Sequence, residues 1–145
     1  MLRRIALMTS LVAVFAGCAT ATGPEFSQLQ PNNASEGNLY VYRKPAIYAV
    51  AATYDIIDAN KKVVAELVSG SYVVLPLKPG KHTFSVSEGF GTPRSFDVQV
   101  EAGKNYFVEY DASKGLLLGW GMLSDVGSRS QESGLADLKG LKRNN

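Results

Sequence analysis

Residues 71–87 read SYVVLPLKPGKHTFSVS, and the fold turns on how they are parsed. Ser71–Leu77 is a dense apolar run of strand-forming residues. Lys78-Pro79-Gly80-Lys81 follows as a turn, because Pro presets φ and Gly accepts conformations that other residues avoid. His82–Ser87 then resumes with Phe84 and Val86 on one face, the period-2 signature of a second strand. Pro76 has no N–H to offer a neighbour, which predicts a place at a sheet edge or strand end.

The same grammar extends in both directions. Upstream, Leu39–Arg43 alternates Leu39 and Val41 with Tyr40 and Tyr42. Ala52–Asp58 and Lys62–Val68 read as the two arms of a hairpin around Asp58-Ala59-Asn60-Lys61. Downstream, a loop at Gly89–Pro93 precedes Phe96, Val98 and Val100, which alternate with Asp97, Gln99 and Glu101. Ala102-Gly103-Lys104 then turns the chain into Asn105–Asp111. Seven short strands with no long amphipathic helix between them predict an all-β domain over 38–111. The expected form is a single antiparallel sandwich of about seven strands, most with one apolar face.

The flanks differ from this domain. Arg3 and Arg4, an apolar run from Ile5 to Ala16 and the small pair Ala16-Gly17 make residues 1–17 a signal peptide. The run is too short for the ~20 residues that span a bilayer. Residues 19–37 are rich in Ala, Thr, Ser, Asn, Gly and Pro and predict a flexible tether, with Phe26 and Leu29 the only residues in it suited to local docking. The tail, 112–145, joins an apolar stretch, Gly115–Leu123, to a stripe of Leu135, Leu138 and Leu141. It predicts a short helical or irregular segment packed on the domain. Trp120 is expected to close an open end of the core, with lipid interface and partner surface as the alternatives. Gly134 and Gly140 each weaken such a helix by ~1 kcal/mol relative to Ala.

Phe15-Ala16-Gly17-Cys18 resembles the lipobox of bacterial lipoproteins. That resemblance implies a diacylglycerol thioether on Cys18, cleavage between Gly17 and Cys18, and acylation of the new amine. Ala19 rather than Asp after the cysteine implies sorting to the outer membrane, facing the periplasm. A later A-x-A cut at Ala19-Thr20-Ala21 is the competing reading, and it would discard the chain's only cysteine. Each buried CH₂ of an acyl chain contributes ~0.8 kcal/mol, so two or three chains would hold the protein firmly.

Charge and chemistry narrow the function. Arg3 and Arg4 are the only charged residues in 1–17, so 15 Lys+Arg against 13 Asp+Glu becomes 13 against 13 once they are removed. A neutral mature chain argues against nucleic acid as a partner. With Cys18 lipidated, no internal disulfide forms. His82, the only histidine, predicts a strand-end cap rather than a general base. No cysteine or histidine pair, calcium loop or phosphate loop occurs, so neither metal nor cofactor is expected. Asp97, Glu101, Glu109 and Asp111 read as a solvated sheet face; a periplasmic hydrolase or glycan-modifying enzyme built on them is the alternative. Tyr40, Tyr42 and Arg43, with Trp120, are the candidate interaction surface for an envelope protein or glycan. The competing reading buries both faces of the tyrosine strand.

Leu39-Tyr-Val-Tyr-Arg43, Ser71-Tyr-Val-Val-Leu75, Leu77-Lys-Pro-Gly-Lys-His82 and Ala102-Gly-Lys-Asn-Tyr-Phe107, in this order, resemble a bacterial envelope family of small lipoproteins that carries a domain of unknown function. The Leu77–His82 step is also similar to PEGA-type and carboxypeptidase-regulatory sandwiches. The resemblance implies an anchored β-sandwich and supplies no catalytic residues. The expected function is therefore a lipid-anchored, non-catalytic interaction or accessory module.

Overall fold

The computed structural model describes residues 20–46, 50–87, 93–112 and 125–144. Cys18, the cleavage expected between Gly17 and Cys18, most of the 89–93 loop and the Gly115–Leu123 stretch with Trp120 lie outside these residues.

Seven strands form close to the predicted places: β1 (Gly37–Arg43), β2 (Tyr54–Asp58), β3 (Val63–Leu67), β4 (Ser71–Leu77), β5 (Gly80–Val86), β6 (Arg94–Val100) and β7 (Asn105–Asp111). After them come β8 (Asp125–Arg129), α1 (Gln131–Leu138) and the two-residue β9 (Lys142–Arg143). The strands make two sheets, ordered β8-β7-β1-β4-β9 and β3-β2-β5-β6. Their facing sides enclose one core of Leu39, Val41, Ile56, Leu67, Val73, Phe84, Val86, Val98, Val100, Val108 and Tyr110. This is an all-β sandwich. Gln99 is exposed and Val98 buried, the alternation that the sequence predicts.

Local chemistry accounts for the turns. Asp58 Oδ1 accepts from the backbone N–H of Asn60 and of Lys62, both at 2.9 Å, which shapes the β2–β3 hairpin. The Pro-Gly turn does not fold β5 back onto β4. Gly80, at φ 137°, lets the chain leave one sheet and enter the other. His82 Nε2 sits 2.9 Å from the Lys78 carbonyl oxygen and closes that turn, the strand-end role predicted for it. β9 covers only Ser71 and Tyr72, so Pro76 lies on the uncovered part of β4.

Two expectations need correction. The five-stranded sheet is mixed rather than antiparallel, since β1 pairs parallel with β7 and β4 parallel with β9. β1 also has no solvent face: all seven of its residues are buried, as the competing reading of the tyrosine strand has it. The cause is a third layer lying on the outer side of that sheet.

One part of this layer is the stretch expected as a free tether. Thr20 pairs with Ser69, and Glu25 with Lys142. Gly23 N–H donates to the Arg143 carbonyl at 3.0 Å, Arg143 N–H to Pro24 at 2.9 Å, and Phe26 N–H to Leu141 at 2.9 Å. Phe26 then meets Tyr40 and Tyr72 edge-on, with ring centroids 6.5 and 5.7 Å apart. From Thr20 onward the segment is a docked arm. The other part is α1, capped by Ser130, whose side chain accepts from the Ser133 N–H. A second core of Tyr40, Tyr42, Tyr72, Val74, Phe107, Leu138 and Leu141 fills the space beneath, with Phe26, Leu29 and Leu135 against it. The leucine stripe is thus split. Leu135 and Leu138 are helical, whereas Leu141 comes after the turn at Gly140, where φ is 80°.

Candidate functional site

The outer sheet face brings together the most concentrated polar chemistry among the described residues. Alternation along β1 puts Tyr40 and Tyr42 on this face, and the parallel register sets them beside Phe107 and Glu109 of β7. Arg129 reaches in from β8, Asp137 from the last turn of α1, and Lys44 from the residue after β1.

These five groups form one connected network. Tyr42 Oη donates to Asp137 Oδ2 at 2.7 Å. Lys44 Nζ bridges Asp137 Oδ1 at 2.7 Å and Glu109 Oε1 at 3.3 Å. Arg129 engages Glu109 Oε2 through Nε at 2.9 Å and Nη2 at 2.8 Å. Two cations meet two anions, and all four carboxylate oxygens have a partner. Asp137 sits where the helix dipole disfavours an anion. Burial also pushes its carboxyl upward, yet Lys44 and Tyr42 outweigh burial and hold it below the usual carboxylate range. Asp137 raises the Lys44 ammonium against the cost of burial, and Glu109 raises the Arg129 guanidinium. Burial, with Asp137 behind it, lifts the Tyr42 phenol far above its ordinary value. A saturated network of this kind clamps α1 to the sheet.

A cavity of about 270 Å³ opens beside it, lined by Lys44, Pro45, Ala46, Glu109, Tyr110, Asp111 and Ala112. Its volume falls just below the ~300–1,000 Å³ of ordinary ligand pockets.

The structure redistributes the predicted site residues. Tyr40, Tyr42 and Arg43 are completely buried, so they are not an exposed platform. Tyr40 stacks on Phe107 at 5.3 Å, and its hydroxyl accepts from the Gln30 N–H at 2.7 Å, fastening the arm. Arg43 points to the opposite face, between the sheets. Its Nη1 donates to the Ala52 carbonyl at 2.8 Å, and its guanidinium lies 4.8 Å from the centre of the Tyr54 ring. Burial lowers its pKa from the ordinary arginine value, opposed by Tyr54 and Tyr110. Trp120 lies outside the described residues.

Of the four carboxylates, Glu109 and Asp111 both line the cavity beside the network, whereas Asp97 and Glu101 stand apart from it. Asp97 is exposed and held by Lys81 and Thr83, each at 2.7 Å, and Glu101 pairs with Lys104 at 2.8 Å. Glu109 corrects the expectation of a solvated face, because it is buried in the network. Sequence reasoning missed Asp137, Arg129 and Lys44 as partners of one another. The available signal was the apolar content of the arm and the leucine stripe, which needed an apolar host. Among the described residues no group of three or more His, Cys, Asp or Glu could hold a metal, and no helix is long and apolar enough to cross a membrane.

Residues 33–119 match the model of a family described as a protein of unknown function, DUF2846. The match spans β1 to β7 and stops short of β8, α1 and β9. No curated protein matches the chain.

Proposed function

We propose that this chain, which belongs to the DUF2846 family, serves as a lipid-anchored, non-catalytic interaction module of the bacterial envelope. One observation carries the non-catalytic part of this reading. The most concentrated cluster of ionisable groups among the described residues is internally neutralised and holds the fold together. The anchoring part is supported by the leader and by Phe15-Ala16-Gly17-Cys18. The similarity of Leu77–His82 to PEGA-type sandwiches belongs to the same proposal. The enzymatic alternative is weaker, because Asp97 and Glu101 are tied up in separate surface pairs and Glu109 is buried against Arg129.

Metabolic labelling with radioactive fatty acid tests the anchor. Wild type should take up label, and Cys18→Ser should lose it and remain as the longer precursor. Equal labelling of the two would refute the anchor. Crosslinking in intact cells then tests the interaction role, which predicts discrete higher-mass adducts that disappear when the sandwich is unfolded by core truncation.

A further inference from the structure

The docked arm bears on which end of the sandwich faces the lipid. Thr20 pairs with Ser69, and Ala21 beside it is buried. Cys18 stands two positions before Thr20. An extended chain spans at most ~3.3–3.6 Å per residue, so a lipid on Cys18 would lie within roughly 7 Å of that pairing along the backbone. A free tether would have allowed any orientation; an arm docked this close to the anchor does not.

The corner around Thr20 belongs to one end of the domain. There β1 finishes and β4 begins, with Arg43 opposite Ser71. Ala46 N–H donates to Ser69 Oγ at 3.4 Å, and Lys142 N–H to the Gly70 carbonyl at 3.0 Å. The opposite end holds Gly37 and the Ala102-Gly103-Lys104 turn, where Gly103 N–H donates to the Glu36 carbonyl at 2.9 Å. Seven strand residues at ~3.3 Å each separate the two ends by about 20 Å.

Resting on the anchor reading, we propose that the Thr20–Ser69 end is a membrane-docking surface. Its occupant is the phospholipid face of the bilayer that carries the Cys18 lipid. Short reach is the first argument, and the chemistry of this end is the second. Val50, half exposed, is one of only two large apolar side chains exposed among the described residues, and it lies on the connection between Arg43 and Tyr54. Pro45 and Lys142 are exposed at the same end. Lys142 stands opposite Glu25 in the arm bridge, so the apolar tip carries this argument: it suits the boundary between acyl chains and headgroups. The Lys78–Lys81 and Glu101–Lys104 turns then face away from the bilayer, where a partner can reach them.

The test uses the lipidated full chain in phospholipid vesicles doped with nitroxide-headgroup lipid. Cys18 is the only cysteine, and its sulfur is consumed by the lipid, so one introduced thiol is the sole labelling point. An environment-sensitive fluorophore on Val50→Cys should be quenched several-fold more strongly than the same fluorophore on Ala102→Cys. Equal quenching, in protein that floats with the vesicles, would overturn the orientation while leaving the anchor intact. Protein that does not float would refute the anchor, and this proposal with it. Inserting ten Gly/Ser residues between Ala19 and Thr20 adds a flexible span of ~17 Å. The difference between the two labels should then collapse, and its persistence would refute the role of the arm.

Discussion

The Tyr42 hydroxyl donates to Asp137 Oδ2 at 2.7 Å, tying the second-last residue of the central strand to the last turn of the only helix among the described residues, 95 positions later. A hydrogen bond to a charged group contributes ~1.5–3 kcal/mol, against ~0.5–1.5 for a neutral one. Tyr42→Phe is therefore expected to lower the urea midpoint of the lipid-free domain more than Tyr40→Phe, which loses a neutral bond from Gln30. The reverse order would mean that the network contributes less than the arm.

Gly134 gives a sharper test of the outer layer. A Cβ there would run into the Phe107 ring. Gly134→Ala gains helix propensity worth ~1 kcal/mol in an exposed helix, yet overpacking costs ~1–3 kcal/mol. The collision should win, and the variant should unfold at lower urea than wild type. A rise in the midpoint would show that α1 does not press on Phe107.

Acid should loosen the same clamp. Asp137 is held below its ordinary value in the folded state, so its contribution is fully present above the unfolded value near ~3.9 and is lost as the pH falls through the folded one. Urea midpoints of wild type and Asp137→Asn should differ at pH 7 and converge below about pH 4. A gap of constant size down to pH 2 would exclude Asp137 as the titrating group.

Alkali acts with the opposite sign. Burial raises Tyr40, Tyr42 and Tyr72 above the ordinary phenol value. Their contribution is complete below the unfolded value near ~10 and is lost as the pH rises through the folded values. Absorbance at 295 nm should show these three of the seven tyrosines ionising only together with the loss of circular dichroism. Smooth ionisation of all seven in a folded protein would place them at the surface.

Much of the inner sandwich was legible from alternation. Phe84, Val86, Val98 and Val100 announce a buried face, and β4 and β7 begin and end where their turn residues say. What covers the outer face was not legible, and Tyr40 and Tyr42 show why. A tyrosine opposite Leu39 and Val41 reads as half-exposed unless something covers it, and the cover comes from residues 20–29 and 131–141, far away in sequence. Composition marked the first of these as linker, because three backbone hydrogen bonds, two bridges and two side chains, Phe26 and Leu29, suffice to dock it. Glu109 was misplaced for the same reason. Alternation gives its face correctly, but not the layer above it. Gly134 looked like a weak point in a helix, whereas its missing side chain is what admits Phe107.

The pairing of Gly23–Phe26 with Leu141–Arg143 has a consequence in time. A chain that emerges N-terminus first exposes the arm at once, but its docking partners are nearly the last residues to appear. The central parallel pair adds a second delay, since Asn38 must wait for Asn105, and contacts so distant in sequence form slowly. Residues 20–26 therefore remain an accessible stretch of unfolded chain until the last strand has formed. The corner at Thr20 closes only afterwards.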